Sequence, residues 1–456
     1  MLRRPIDRGG STRRFAARLP SFDGVLIFVG CVSFLGALLL IAQLSTIAAI
    51  VAICVAGLCA AVVSFGLVQT ATGIIVLAMF FAPCNSIRPS PAASFVTMSD
   101  LLFALGFLLL APVLMVRRIS PPLIFVLGSF ILIVMGILAS LGSADPGTSL
   151  NHMTRFVLAG LGLPIAFMLW RPHNRIVVAF ASAYVAGQAL SVVNAIASGA
   201  EEDTGRYQGF STHFNFFGLS ALLAACLVPY IVAFIHPPWR WVAWAGGGLC
   251  LYGIWISGSR AALLVVVIIA LLFPLVERSV PATGALAAAM GVGVLLSGRL
   301  LNDEGSNALG RLKGDSTTNF SDDERTRALT EAIKMFKAHP FLGTGFEKAL
   351  EAHNIYLEIG VAVGVVGVVG YALILGSAIY PLFTVPHPYH RLAYPALAYA
   401  MIGMLTNALW DRFIWSVLAL ALIASFLPED DAVGVDEGEE GPSTTKQRTR
   451  DQEQHV

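Results

Sequence analysis

Residues 353–367 read HNIYLEIGVAVGVVG, a histidine and an asparagine at the head of a run that is otherwise aliphatic and punctuated by glycine. The run stays apolar to residue 383, longer than the ~20 residues an α-helix needs to cross a bilayer. Hydrocarbon offers backbone N–H and C=O groups no partners, so a segment of this kind must be helical. A polar pair at its head then calls for a partner, a cavity or a task. Leu357, Gly360 and Gly364 follow His353 on one helical face, and so many small residues predict close approach of another helix.

The rest of the chain repeats the pattern. Of 456 residues, 56% are hydrophobic and 12% charged, with a mean hydropathy of +0.76; soluble domains carry about twice that charged fraction. Apolar segments recur at 23–42, 45–64, 68–83, 99–116, 122–142, 154–170, 176–197, 214–235, 241–256, 261–276, 281–297, 353–383, 392–409 and 412–427. The fold expected is an all-α polytopic integral membrane protein, a bundle of about 12–14 transmembrane helices. Six cysteines (Cys31, Cys54, Cys59, Cys84, Cys226 and Cys250) have neither CxxC nor metal-ligand spacing and read as small core residues. A net charge of +1 argues against a nucleic-acid partner.

Charge placement gives the orientation. Residues 1–22 hold six arginines (Arg3, Arg4, Arg8, Arg13, Arg14 and Arg18) and form an expected cytoplasmic tail. Alternation along the spans puts Arg117, Arg118, Arg171, Arg175, Arg240, Arg278 and Arg391 inside and Arg88, Arg155, Arg206, Arg260 and Arg412 outside, the bias of the positive-inside rule. The organisation expected is thus a bundle of about 11 spans over 23–297, a polar outer loop over 298–352, about three further spans over 353–427 and a disordered cytoplasmic tail over 428–456.

Within the outer loop, FSDDERTRALTEAIKMFKAHPFLGTGF has Ser321 and Glu324 in capping-box spacing and Leu329, Ile333 and Phe336 on one face. Arg325, Arg327, Glu331, Lys334 and Lys337 surround that stripe, which fits a helix lying on the membrane surface, one capping a cavity, or the solvated face of a structural helix. Asp322 and Asp323 read as first-turn acids and not as metal ligands.

The polar residues of the spans gather at one level. Asp100, Asn194, Arg206, Asn215, Arg260, His353, Asn354, Glu358, Asp411 and Arg412 all fall at or near expected outer ends, which points to a site that opens outward. Near a helix N-terminus the imidazole of His353 is kept neutral, the state a general base needs. Arg260, after the turn ISGS, needs an anion, either a structural carboxylate such as Asp100 or Glu358 or a ligand phosphate. Arg206, in RYQGFSTHFN, adds a second outer cation.

These stretches together resemble the bacterial O-antigen ligase and polysaccharide polymerase superfamily of polytopic membrane glycosyltransferases. The family signature is His, then Asn, Ser or Gln, nine residues, Gly, two residues, then Gly, Thr or Tyr; His353, Asn354, Gly364 and Gly367 fill it. HPFLGTGF resembles its lead-in, SGSRAALL its arginine-headed helix and RYQGFSTHFN its Arg-x-x-Gly stretch, with Phe214 where many members have proline before Asn215.

The resemblance implies transfer of a glycan from an undecaprenyl diphosphate donor to an acceptor hydroxyl at the periplasmic face of the inner membrane, with no cofactor, nucleotide sugar or metal. The acceptor would be lipid A core in a ligase or a growing glycan in a polymerase, with a chain-length regulator as a possible partner beside the membrane lipids. His353 would take the acceptor proton and Asn354 orient the site. Arg206, Arg260 and Arg325 would hold the diphosphate, with Asn215 and Glu358 in support. A lipid-linked oligosaccharide transporter is the rival class, but it would place polar residues and broken helices near the bilayer midplane.

Overall fold

A computed structural model describes residues 46–89, 96–118, 120–202, 204–285, 287–288, 308, 316–346 and 352–427. The expected span 23–42, most of 281–297 and the tail 428–456 lie outside the described residues. The chain divides into two compact units, Met1–Thr70 and Ala71–Val456. In the first, α1 (Thr46–Phe65) is apolar on every side. Cys54 and Cys59, expected in a core, are exposed on it, because a helix hydrophobic all round has no single face that must turn inward. Cys84, Cys226 and Cys250 of the second unit are buried as expected.

Every regular element among the described residues is helical. After α2 (Leu67–Phe81) come α3 (Met98–Leu114), α4 (Leu123–Leu141), α5 (Pro146–Trp170), α6 (Asn174–Ser198), α7 (Phe214–Phe234), α8 (Arg240–Ile256) and α9 (Arg260–Glu277). Then follow α10 (Ser316–Ala338), α11 (Ile355–Ile379), α12 (Tyr394–Ile402) and α13 (Arg412–Ile423). Six described stretches are long and apolar enough to cross a membrane: α4, α5, α6, α7, α9 and Ile355–Thr384, which contains α11. The protein is an all-α polytopic membrane protein.

Helix starts are written locally. Thr97 and Asp100 form a reciprocal capping box on α3, Ser259 caps α9 and Asn354 caps α11 through a 3.1 Å bond from the Leu357 N–H, each serving N–H groups that have no partner within the helix. The span expected at 392–409 is shorter than its apolar run: α12 ends at Ile402. A 3₁₀ turn, Tyr389–Ala393, precedes it. At ~2 Å per residue such a turn adds about 10 Å, so the two together still cover most of a hydrocarbon core.

One glycine of 353–367 departs from the small-residue face expected of it. Gly364 has φ 73 and ψ −179, a break inside α11. The turn HPFLGTGF lies in the break. Thr344 N–H donates to Val361 C=O at 2.8 Å, Gly345 N–H to Ala362 C=O at 2.9 Å, and Val365 N–H to Pro340 C=O at 2.8 Å. A Cβ at Gly364 would stand 2.0 Å from the Phe341 carbonyl oxygen, and at Gly360 it would meet the Phe336 ring at 3.1 Å. At Gly360 the neighbour is a helix as expected, Phe336 belonging to α10, whereas at Gly364 a loop takes the place of a helix. Close helix packing resumes a turn or two further on, where Gly370 faces Gly128 of α4.

Helix α10 also differs from its reading. It begins at Ser316, so Ser321 lies inside the helix instead of capping it. Leu329 and Ile333 are exposed, while Ala332, with Met335 and Phe336, packs on Val361 and Leu357 of α11. Burial follows the small residues because Ala332 lets the two helices approach closely.

Candidate functional site

The site is assembled from three backbone devices. The first is the turn Ser257–Ser259. Ser257 Oγ donates to Ile254 C=O at 2.7 Å and accepts from Ser259 N–H at 3.1 Å, and Gly258 takes φ 65. The turn directs α9 so that Arg260 stands in its first turn. The second is the stretch 206–215, tied down by Phe210 N–H to Ser191 Oγ (2.9 Å) and Thr212 N–H to Asn85 Oδ1 (2.8 Å).

The third device is the head of α11. His353 precedes the cap residue instead of sitting in the first turn, and it takes φ 50. Left-handed backbone is unusual for a side-chain-bearing residue, although Asn, Asp and His tolerate it best. Held strain of this kind concentrates at functional sites. It is held from the residues that follow: Asn354 caps the helix, and Ile355 N–H donates to Gly403 C=O at 2.9 Å.

Between these devices lies a cavity of about 670 Å³ whose lining combines the polar Arg260, Arg325, His353 and Asn354 with the aliphatic Leu263, Leu264, Val267, Met404 and Leu405. Leu264, Met404 and Leu405 are exposed, so part of the aliphatic lining faces outward from the bundle. A narrower cleft brings Arg260 and Arg325 together with Asn215, Ser259 and Thr406. Helix α10 therefore caps a cavity, through Arg325, Thr326 and Leu329.

Arg206 is placed differently from Arg260 and Arg325. It is 4% exposed. Its Nε donates to Ser257 C=O at 2.7 Å, its Nη2 donates to Asn215 Oδ1 at 2.8 Å, and its guanidinium lies 3.3 Å from the Phe214 ring centroid. The aromatic at the position where many family members have proline thus serves as a platform for the guanidinium. Arg206 reaches the cleft by way of Asn215. Glu358 is half-buried in the first turn of α11, where the helix dipole favours a carboxylate, and does not line the cavity. Asp100, considered as a partner for Arg260, instead pairs with Arg412 at 3.0 Å.

One residue of the site was missed in the sequence. His213 caps α7, its Nδ1 accepting from Asn215 N–H at 3.1 Å, and its ring lies 3.8 Å from that of Phe214. Burial first, then the charges of Arg206, His353 and Arg325, push its pKa down to about 4, so the ring is neutral at pH 7. The order Arg206, His213, Phe214, Asn215 was visible as letters, but only a fold shows that the segment stacks on itself.

Taken together, these features define a cationic pocket with a partly aliphatic lining in an all-helical membrane protein. Residues 245–372 match the family model described as O-Antigen ligase, and over this stretch the chain is similar to that family. The matched stretch takes in Arg260, Arg325, His353, Asn354, Gly364 and Gly367. No curated protein matches the chain.

Proposed function

We propose that the protein is an O-antigen ligase-like glycosyltransferase that moves a glycan from undecaprenyl diphosphate to an acceptor hydroxyl, such as one on lipid A core, at the periplasmic face of the bacterial inner membrane. The observation that carries the reading is that Arg260, Arg325, His353 and Asn354 line one cavity together with Leu263, Leu264, Val267, Met404 and Leu405. A diphosphate suits the first set and a polyprenyl chain the second.

In this reading His353 takes the proton of the acceptor hydroxyl as its oxygen attacks the anomeric carbon. The bond from that carbon to the diphosphate oxygen breaks, the electron pair leaves with undecaprenyl diphosphate, and Arg260 and Arg325 offset the developing charge. A single displacement inverts the anomeric centre. Asn354 holds the turn that presents His353, and Arg206 fixes Asn215 at the edge of the cleft. The same pocket would serve a polymerase, in which the acceptor is another lipid-linked repeat.

Mass spectrometry of undecaprenyl-linked glycans in a host carrying His353→Ala tests the proposal. Long polymer left on the carrier is expected for a ligase, and single repeat units would make the protein a polymerase. A lipid-linked pool identical to wild type would overturn the role of His353.

A further inference from the structure

A second basic cavity lies at the other end of the bundle. His152, near the start of α5, has Nδ1 2.9 Å from the carbonyl of Phe346, in the turn that supports the site. Residues 152–171 rise about 28 Å along a helix, which carries Arg171 to the opposite end. There a cavity of about 460 Å³ is lined by Arg117, Arg118, Leu169, Arg171 and His173. No carboxylate is among its lining residues.

Helix capping accounts for part of this cluster. Arg117 Nη1 donates to Trp170 C=O, the last carbonyl of α5, and the Arg171 backbone N–H returns to Phe167 C=O at 2.9 Å. The Arg171 guanidinium is used differently: its Nη2 donates to Ser120 Oγ at 2.9 Å and it lies 4.4 Å from the Phe426 ring centroid. Arg118 makes no hydrogen bond or ion pair among the described residues. Helix α6 begins at the same place, with His173 as its cap, and a helix N-terminus favours an anion. Next to Arg117 and Arg118, the side chains of Met115 and Val116 are 86% and 84% exposed, aliphatic surface directly after the apolar helix α3.

We propose that the cavity lined by Arg117, Arg118, Leu169, Arg171 and His173 binds the phosphate headgroup of an anionic membrane phospholipid, with its acyl chains along Met115 and Val116. Two guanidinium groups held by neighbours and a third at the rim form a fork suited to phosphate oxygens, and basic pockets between helix ends are where such headgroups bind. The exposed aliphatic pair selects a lipid over a soluble phosphate. The inference is independent of the glycan reaction and stands if that reading fails.

Native mass spectrometry on the full chain in detergent, with added phosphatidylglycerol, phosphatidylethanolamine or inorganic phosphate, tests it. Phosphatidylglycerol adducts are expected to survive collision energies that strip phosphatidylethanolamine. Removing one arginine near the surface weakens anionic-lipid binding about five-fold, so Arg118→Gln should show that loss. Arg118→Lys should retain the headgroup preference, and Arg175→Gln, at an exposed arginine outside the cavity, should bind as wild type. Equal retention of the two lipids by the wild-type chain, unchanged binding by Arg118→Gln, or displacement of phosphatidylglycerol by inorganic phosphate would each overturn the proposal.

Discussion

Helix α9 carries a charge at each end, Arg260 first and Glu277 last, and both stand against the helix dipole, which favours anions at the N-terminus and cations at the C-terminus. The two ends resolve the conflict differently. Glu277 is enclosed: its side chain is 2% exposed and meets Arg391 Nη2 at 2.5 Å, His390 Nε2 at 2.9 Å and His387 Nε2 at 3.3 Å, while Arg391 Nη1 donates to Pro229 C=O at 3.0 Å. That network ties α7, α9 and the turn before α12 together. Arg260 stands on a cavity wall beside Arg325 and His353. The network at Glu277 is enclosed and holds helices together, whereas Arg260 lines a cavity, which in the proposed reading is where the donor diphosphate sits.

The largest test of this contrast is at the open end. Losing one donor to a developing oxyanion lowers rates about 10²–10³-fold, so Arg260→Ala and Arg325→Ala should each lose glycan transfer on that scale in a reconstituted assay while keeping their melting temperature. Equal losses of transfer and of folded protein would make the open end structural, like the closed one.

Glu277→Gln should do the reverse. Removing the anion leaves the half-buried Arg391 with only weaker partners, a destabilisation of about 3 kcal/mol, read as a lowered melting temperature with transfer per folded molecule unchanged. Preserved stability would remove the distinction between the ends.

Gly364→Ala sharpens the comparison, because it tests the support of the open end without touching its charges. The added methyl would stand 2.0 Å from the Phe341 oxygen at a positive φ, and strain at such positions is about 1–3 kcal/mol. Transfer should fall together with protease resistance of the 339–346 turn.

The last effect is pH-dependent and is absent at neutral pH. The pKa of His213 is lowered to about 4 in the folded chain, from burial first and then the nearby arginines and His353, against an ordinary 6.5. Below pH 6.5 the unfolded chain therefore takes up a proton that the native chain refuses until about pH 4. Stability should fall as pH drops through that window, and His213→Gln should flatten the slope in melting curves. An unchanged slope would assign the acid sensitivity to other groups.

Much of the fold was legible because the bilayer leaves few choices. Apolar runs became helices within a few residues of their predicted ends, as at 214–235 against Phe214–Phe234 and 261–276 against Arg260–Glu277. Ser259 and Asn354 are residue types that favour cap positions, although the reading from sequence placed His353 inside the first turn and the structure places it before the cap. The amphipathic stripe of α10 misled because Leu329 and Ile333 outweigh Ala332 in hydropathy, while helix approach depends on volume.

By itself, then, the sequence pointed to which segments are helical, where their polar ends lie and that His353 and Arg260 belong to one level of the spans. It could do so because burial of backbone in hydrocarbon and the capping of helix ends are local requirements. Only the tertiary structure decided that Gly364 breaks α11 to admit the turn 339–346, that Arg206 is spent on Asn215 and Ser257 while Arg260 lines the cavity, and that His213 joins the site. Each of these depends on which groups meet across distant parts of the chain, and a pairing of that kind is set by three-dimensional packing and not by spacing along the sequence.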